Sequence, residues 1–240
     1  MKFPITKYGL PQVIIFPLAI ITIMIVLFLV FTPAPWLIPV EAFLLIILIW
    51  LLSFFRDPAR KIISDESILY SPADAQITEI SLEETEGNRE TEILGKKILK
   101  ISMFLSVFNV HVNRLPCTIK ILDIKYKKGK FLNAMSLDAS KLNESNDVLM
   151  ERVSAPNDKI IVRQITGAIA RRIVCKLIPG TQYSQGYTYG MMKFGSRSDI
   201  YLNPGEGSIE NGFSKLEICV KKGDKVRGGL TPIIRYKTPS

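Results

Sequence analysis

From Val13 to Phe31 the chain runs for nineteen residues without a charged side chain. That is long enough for a helix to cross a hydrocarbon core. A second apolar run, Trp36 to Phe55, is interrupted only by Pro39 and Glu41 near its start and predicts a second span. Pro33 and Pro35 lie between the runs, where they stop one helix and permit a tight reversal. Residues 1–60 are therefore expected to form a transmembrane helical hairpin, with spans over about 13–31 and 36–55. Lys2 and Lys7 flank one end and Arg56, Arg60 and Lys61 the other, whereas the connection carries no positive charge. The positive-inside bias then places both ends in the cytoplasm, at the cell (inner) membrane. A cleaved signal peptide fits less well, because the first run exceeds a signal core and a second apolar run follows without a small-residue cleavage site.

Beyond Lys61 the pattern changes to short apolar runs separated by turns. "AQITEISL", "KKILKISMFL", "IKILDIKY", "KIIVRQI" and "ARRIVCKLI" read as strands, so residues 61–240 are expected to fold as one mainly β (α+β) domain. "EETEGNRET" from Glu83 reads as an exposed acidic loop and "KYKKGK" from Lys125 as a basic turn. Leu137 to Arg152, "LDASKLNESNDVLMER", lacks alternation and reads as a loop with one helical turn. One internal repeat is visible: Leu177 begins "LIPGTQYSQG" and Val220 begins "VKKGDKVRGG". In both, an apolar residue is followed by glycine at three, an apolar or aromatic residue at six and glycine at nine, which suggests equivalent hairpins of a pseudo-symmetric unit. Such a unit resembles the biotinyl and lipoyl carrier fold, although no carrier lysine stands at a hairpin tip.

The formal charge of +9 calls for an anionic partner. With a membrane hairpin attached, anionic headgroups are the expected surface and nucleic acid is not. Cys117, Cys175 and Cys219 have no metal-ligand spacing and are expected to be reduced, packed small hydrophobes; no metal is expected.

Five stretches remain: "FFRDPAR" after the hairpin, "SPADAQITEI" at Ser71–Ile80, "FLSVFNVHVNRLP" at Phe104–Pro116, "VRQITGAIARRIVC" at Val162–Cys175 and "MKFGSRSDIYL" at Met192–Leu202. In order and spacing they resemble the motifs of phosphatidylserine decarboxylases, the shorter membrane-anchored members in particular. The resemblance implies a proenzyme that cuts itself between Gly195 and Ser196, giving a β chain and an α chain that stay together as a heterodimer. Ser196 would become a covalent pyruvoyl group, the cofactor that forms a Schiff base with the serine amine of phosphatidylserine in an anionic membrane. Loss of CO2 would give phosphatidylethanolamine. The chemistry suits the residues, since a serine hydroxyl attacks a preceding glycine carbonyl with the least hindrance.

The resemblance also assigns roles to His111 and Asp74. His111 is the only histidine, and by itself a lone histidine is more often structural; in "NVHVNRLP" it is implied as the proton-transfer group. Asp74 in "SPAD" is implied as its acidic partner, its bland reading being an Asx-turn after Pro72. Two positions depart from the family pattern: Ala75 stands where many members have glycine, and Arg114 where larger bacterial members have a second histidine. Arg114, Arg163, Arg171 and Arg172 are candidates to grip a phosphate or carboxylate with two hydrogen bonds. The alternative reading is a non-enzymatic membrane-tethered adaptor with a lipoyl-like β module, in which Ser196 is a turn residue.

Overall fold

The computed structural model describes residues 5–84, 87–136, 138–168, 172–193 and 195–237. The chain divides into two compact units, residues 1–59 and 60–240.

In the first unit, helices α1 (Gln12–Phe31) and α2 (Leu37–Phe54) are joined by a short proline-containing turn. Both are long and apolar enough to cross a membrane, and α1 buries none of its residues within the chain, as a helix solvated by lipid would. At the end of α2, Arg56 Nη1 donates to the Ser53 carbonyl at 2.8 Å, and the Thr6 N–H donates to the Phe55 carbonyl at 2.9 Å. These bonds take up carbonyls that the helix itself leaves unpaired.

The second unit is mainly β. Its described strands are β1 (Ile68–Tyr70), β2 (Ala75–Glu83), β3 (Ile98–Leu105), β4 (Val112–Arg114), β5 (Ile119–Lys127), β6 (Ser145–Arg152), β7 (Lys159–Thr166), β8 (Arg172–Cys175), β9 (Gln182–Tyr183), β10 (Thr188–Lys193), β11 (Ser196–Leu202), β12 (Gly207–Ser208), β13 (Gly212–Phe213), β14 (Leu216–Ile218), β15 (Lys225–Val226) and β16 (Pro232–Tyr236). Eight of them form one sheet in the order β15-β2-β3-β11-β7-β6-β5-β9. Two three-stranded sheets, β4-β10-β8 and β1-β16-β14, complete the unit.

The eight-stranded order is nearly palindromic in its bonding. Gly180 N–H donates to the Ile121 carbonyl at 2.8 Å and Ile121 N–H to Thr181 at 3.0 Å; Gly223 N–H donates to Ile77 at 2.8 Å and Ile77 N–H to Asp224 at 2.9 Å. β2 bulges between Ile77 and Glu79, and β5 between Ile121 and Asp123. The glycines of the two stretches, 180 and 186 in one, 223 and 229 in the other, all have positive φ, between 73° and 97°, a backbone that side chains with a Cβ resist. The two stretches do not close hairpins on themselves. Each lies along a strand from much earlier in the chain, β9 on β5 and β15 on β2, a pairing that no local pattern in the sequence could reveal.

Three further sequence expectations need correction. Ser145–Arg152 is not a loop but an interior strand between β5 and β7. Its polar residues hid this because they have partners inside: Asp147 takes Arg163, and Asn146 takes Gln164. Only Ala139–Leu142 (α4) forms the helical turn. In the acidic loop, Asn88 and Thr91 make a reciprocal capping box that starts helix α3, Arg89–Leu94; Thr85 and Glu86 lie outside the described residues. Of the three cysteines Cys117 is buried in the core, its thiol pushed up to about 12, and half-buried Cys175 packs against that core, whereas Cys219 is exposed.

Alternation gives the sheet two different faces. Ser196, Ser198, Ile200 and Leu202 of β11 share one face, and Ile200 and Leu202 join the main core with Leu99, Ile101, Met103 and Val162. The other face carries Arg197, Asp199 and Tyr201 and is a network of buried ion pairs. Arg197 Nε donates to Asp199 at 2.7 Å and Nη2 to Glu79 at 3.1 Å. Arg163 grips both carboxylate oxygens of Asp147, at 2.6 and 2.7 Å, and also Glu90. Burial by itself would raise the Glu90 and Glu79 carboxyls, but Arg163 beside the first and Lys100 and Arg197 beside the second hold both below their usual 4.5. A depressed folded-state value stabilises above the unfolded-state one and is lost as pH falls. The urea midpoint of the protein is therefore expected to drop as pH is lowered through and below about 4.5. Glu90→Gln will flatten that slope and lower the midpoint at neutral pH; an unchanged slope would remove this network from the acid response.

Candidate functional site

Ser196 and Asp74 lie at the same end of the main sheet, and His111 stands just before β4, in the β4-β10-β8 sheet. Ser196 opens β11 and pairs with Leu105, the last residue of β3, on one side and with Thr166, the last of β7, on the other. Asp74 immediately precedes β2, whose Gln76 pairs with Phe104 at the same end. His111 immediately precedes β4, and its carbonyl accepts from Met192 N–H at 3.2 Å. Strand β10 then leads to Ser196 through Phe194, which is outside the described residues, and Gly195 at φ 48°.

A buried side-chain bond fixes how β4 lies over the sheet. Gln164, directly opposite Ser198 in the β7–β11 pair, donates through Nε2 to Asn113 Oδ1 at 2.8 Å. Asn113 takes one side of β4, and His111, just before the strand, continues the same alternation. That side therefore faces the Ser196 and Ser198 side of β11.

Ser196 is fully buried, and its Oγ has no hydrogen-bond partner among the described residues. A buried hydroxyl left so is uncommon and marks a place to look for chemistry. The carbonyl of Gly195, the group just before it, is seated against Gly167. A Cβ added at Gly167 would stand 2.2 Å from that oxygen and 3.1 Å from Ala134 Cβ, so only glycine fits. The walls of this notch are held by Asn143, which is wholly buried. Its Nδ2 donates to the carbonyls of Leu132 and Thr166, both at 2.8 Å, and its Oδ1 accepts from Leu132 N–H at 2.9 Å. Sequence reading missed Gly167 and Asn143. Gly167 lies inside a quoted motif, but nothing local says that its missing Cβ makes room for a residue 28 positions later.

His111 is buried, with Nδ1 3.0 Å from the Asn109 carbonyl. A carbonyl can only accept, so Nδ1 carries the proton and Nε2 the lone pair of the neutral ring. Lys193, buried at the end of β10, is held below its usual 10.5 by burial and by Arg172, opposite it on β8. Asp74 is gripped by Arg60: Nη1 donates to Oδ1 and Nη2 to Oδ2, each at 2.7 Å. Gly228 N–H also donates to Asp74 Oδ1 at 2.7 Å. At the matching place in the other half, Thr118 Oγ1 accepts from Gln185 N–H at 3.4 Å. Asp74 thus shares a loop-bracing task with its counterpart, and the ion pair is its own addition.

The arginine candidates divide. Arg163 is committed to Asp147 and Glu90 on the face away from Ser196. Arg114 is buried, with Nη1 3.4 Å from the Gly186 carbonyl, and Arg172 is exposed. Arg171 lies outside the described residues. A cleft of about 650 Å³ lies on the charged face, lined by Arg163, Asp147, Lys100 and Tyr201, and so does not belong to Ser196. Among the described residues no group of histidine, cysteine and carboxylate side chains is arranged to hold a metal.

Comparison with known proteins adds to this geometry. The family described as phosphatidylserine decarboxylase matches residues 47–234. Proteins named phosphatidylserine decarboxylase proenzyme align over most of the chain. The one from Pelagibacter ubique (strain HTCC1062) is 43% identical over 187 residues, covering 78% of this chain and 80% of its own. That from Geobacter metallireducens is 41% identical over 183 residues, 76% of each chain. That from Rickettsia africae is 41% identical over 187 residues, 78% of this chain and 75% of its own.

Proposed function

Because this chain belongs to the phosphatidylserine decarboxylase family, we propose that it is a proenzyme that cuts itself between Gly195 and Ser196 and then decarboxylates phosphatidylserine to phosphatidylethanolamine. The observation that carries the reading is the unpartnered, buried Ser196 hydroxyl next to a glycine carbonyl seated in the Gly167 notch.

The first step needs only groups of this chain. His111 Nε2 takes the Ser196 hydroxyl proton, Oγ adds to the Gly195 carbonyl carbon, and the Gly195–Ser196 C–N bond breaks to leave an ester and a free amine. Loss of the Ser196 Cα proton then expels the Gly195 carboxylate, leaving dehydroalanine. Water replaces its nitrogen, releasing ammonia and leaving a pyruvoyl group at the head of the α chain. The residues fit that group, since the hydroxyl from which it is made is unpartnered and the notch beside it excludes any side chain. When formed, the pyruvoyl carbonyl supplies an electrophile for the substrate amine and a sink for the electron pair released with CO2. His111 returns a proton to the decarboxylated carbon, and Asp74 is the acidic partner that favours the charged ring.

Strand β11 is hydrogen-bonded along its whole length to β3 and β7, both on the N-terminal side of the cut. That supports a heterodimer of α and β chains that does not dissociate. The matching bonds of the two half-domains support the biotinyl/lipoyl-like reading of the β unit. The two apolar helices support membrane association, with both ends of the hairpin and the catalytic unit on the cytoplasmic side of the cell membrane. A tethered adaptor gives no reason for a buried hydroxyl without a partner.

Intact mass spectrometry tests the reading. The purified protein is expected as two chains, the smaller beginning at position 196 and lighter by one ammonia than its sequence requires. A single full-length chain that still releases CO2 from phosphatidylserine would overturn it.

A further inference from the structure

Behind Ser196 the core contains a chain of amides with a loose end. Asn146 Nδ2 donates to Gln164 Oε1 at 3.0 Å, and Gln164 Nε2 donates to Asn113 Oδ1 at 2.8 Å. All three are buried, Asn113 and Gln164 completely. Each amide whose oxygen is taken presents its NH2 at the other corner, so the chain has one direction and ends on Asn113 Nδ2. That nitrogen has no partner among the described residues, and neither does Ser198 Oγ, also fully buried.

These two groups sit next to the reacting residues. Asn113 lies two residues from His111 on the same side of its strand, and Ser198 two residues from Ser196, roughly 7 Å along β11. Gln164 touches Asn113 and pairs directly with Ser198. A buried donor without an acceptor is destabilising, a cost that disappears when a ligand brings oxygen atoms. Arg197 of β11 and Arg163 of β7 point to the opposite face and are paired there.

We propose that Asn113 and Ser198 hold the α-carboxylate of the amino-acid headgroup, with Gln164 and Asn146 as positioning residues behind Asn113. This rests on the decarboxylase reading. A carboxylate is an acceptor only and matches two donors. Neutral donors suit a group that must leave. When the bond from Cα to the carboxylate carbon breaks, its electron pair moves toward the sink and CO2 departs uncharged. A guanidinium in that place would bind the ionised ground state more tightly than the transition state and slow the step.

The test uses the full-length, self-cleaved protein with mixed micelles of phosphatidylserine or phosphatidylethanolamine. Borohydride-trapped lipid on the α chain is read by mass and counted whether or not CO2 has been lost. Asn113→Ala is expected to process normally and to raise the half-saturating concentration for phosphatidylserine about tenfold, leaving that for phosphatidylethanolamine, which lacks the carboxylate, unchanged. Ser198→Ala is expected to act in the same direction. Equal rises for both lipids would make Asn113 merely structural, and no rise would remove it from the site; either overturns the proposal. Should Asn113→Ala fail to self-cleave, the comparison is decided on Ser198→Ala, where an unchanged ratio between the lipids overturns it. An uncut wild-type chain would overturn the decarboxylase reading itself, whereas a cut wild type with unselective variants overturns this inference alone.

Discussion

Gly167→Ala is expected to self-cleave on the order of a hundredfold more slowly than the wild type, although every group of the cleavage chemistry is still present; Ser196→Ala will not cleave at all. The added Cβ would stand 2.2 Å from the Gly195 carbonyl oxygen, and ordinary C···O contacts are about 3.3 Å or more. The carbonyl must therefore retreat by about 1 Å, and a misplacement of that size costs on the order of a hundredfold in rate. The Ala134 side chain closes the other wall, at 3.1 Å, so the new methyl has nowhere to turn. The measurement is the rate of appearance of the α chain on denaturing gels after synthesis. Thermal midpoints of Ser196→Ala and of Ser196→Ala/Gly167→Ala, both uncut, separate misplacement from unfolding. Cleavage of Gly167→Ala at the wild-type rate would mean that the notch does not position the scissile carbonyl.

Asp74→Asn is expected to lower the thermal midpoint by about 10 °C and to slow self-cleavage as well. The side chains of Arg60 and Asp74 are only 6% and 14% exposed, and stripping one partner from such a pair leaves an uncompensated charge, costing about 3–5 kcal/mol. For a domain of this size that is roughly 2–4 °C per kcal/mol. Adding Arg60→Met removes the stranded cation and should restore most of the stability, because the oxygen of the substituted amide can still accept from Gly228 N–H. Self-cleavage should stay slow in the double variant, which still lacks the carboxylate proposed as the acidic partner of His111. Recovery of both would leave Asp74 as a brace and nothing more.

The outcome for Asp74 shows where local sequence stops informing. Its motif is legible, and so is its bland reading as a turn residue, yet what holds it is an arginine 14 positions earlier and a backbone N–H 154 positions later. Ser145–Arg152 shows the same limit from the other side. A strand is read from alternation, and here the inward position at one end is an amide, Asn146, that bonds to another amide, so the pattern is broken although the strand is central.

By itself the sequence determined the apolar hairpin and the mainly β unit and pointed to the proposed Gly195–Ser196 step, because each depends on neighbours in the chain: an unbroken run of hydrocarbon side chains, period-two alternation, or two adjacent residues whose own atoms would react. Only the tertiary structure decided which face of the sheet receives Ser196, that Arg163 is committed elsewhere, that Gly167 and Asn143 shape the notch, and that Asn113 ends a chain of amides. Those facts are set by register between strands about 30 to 100 residues apart, and a register is fixed by packing the whole core at once rather than by any segment.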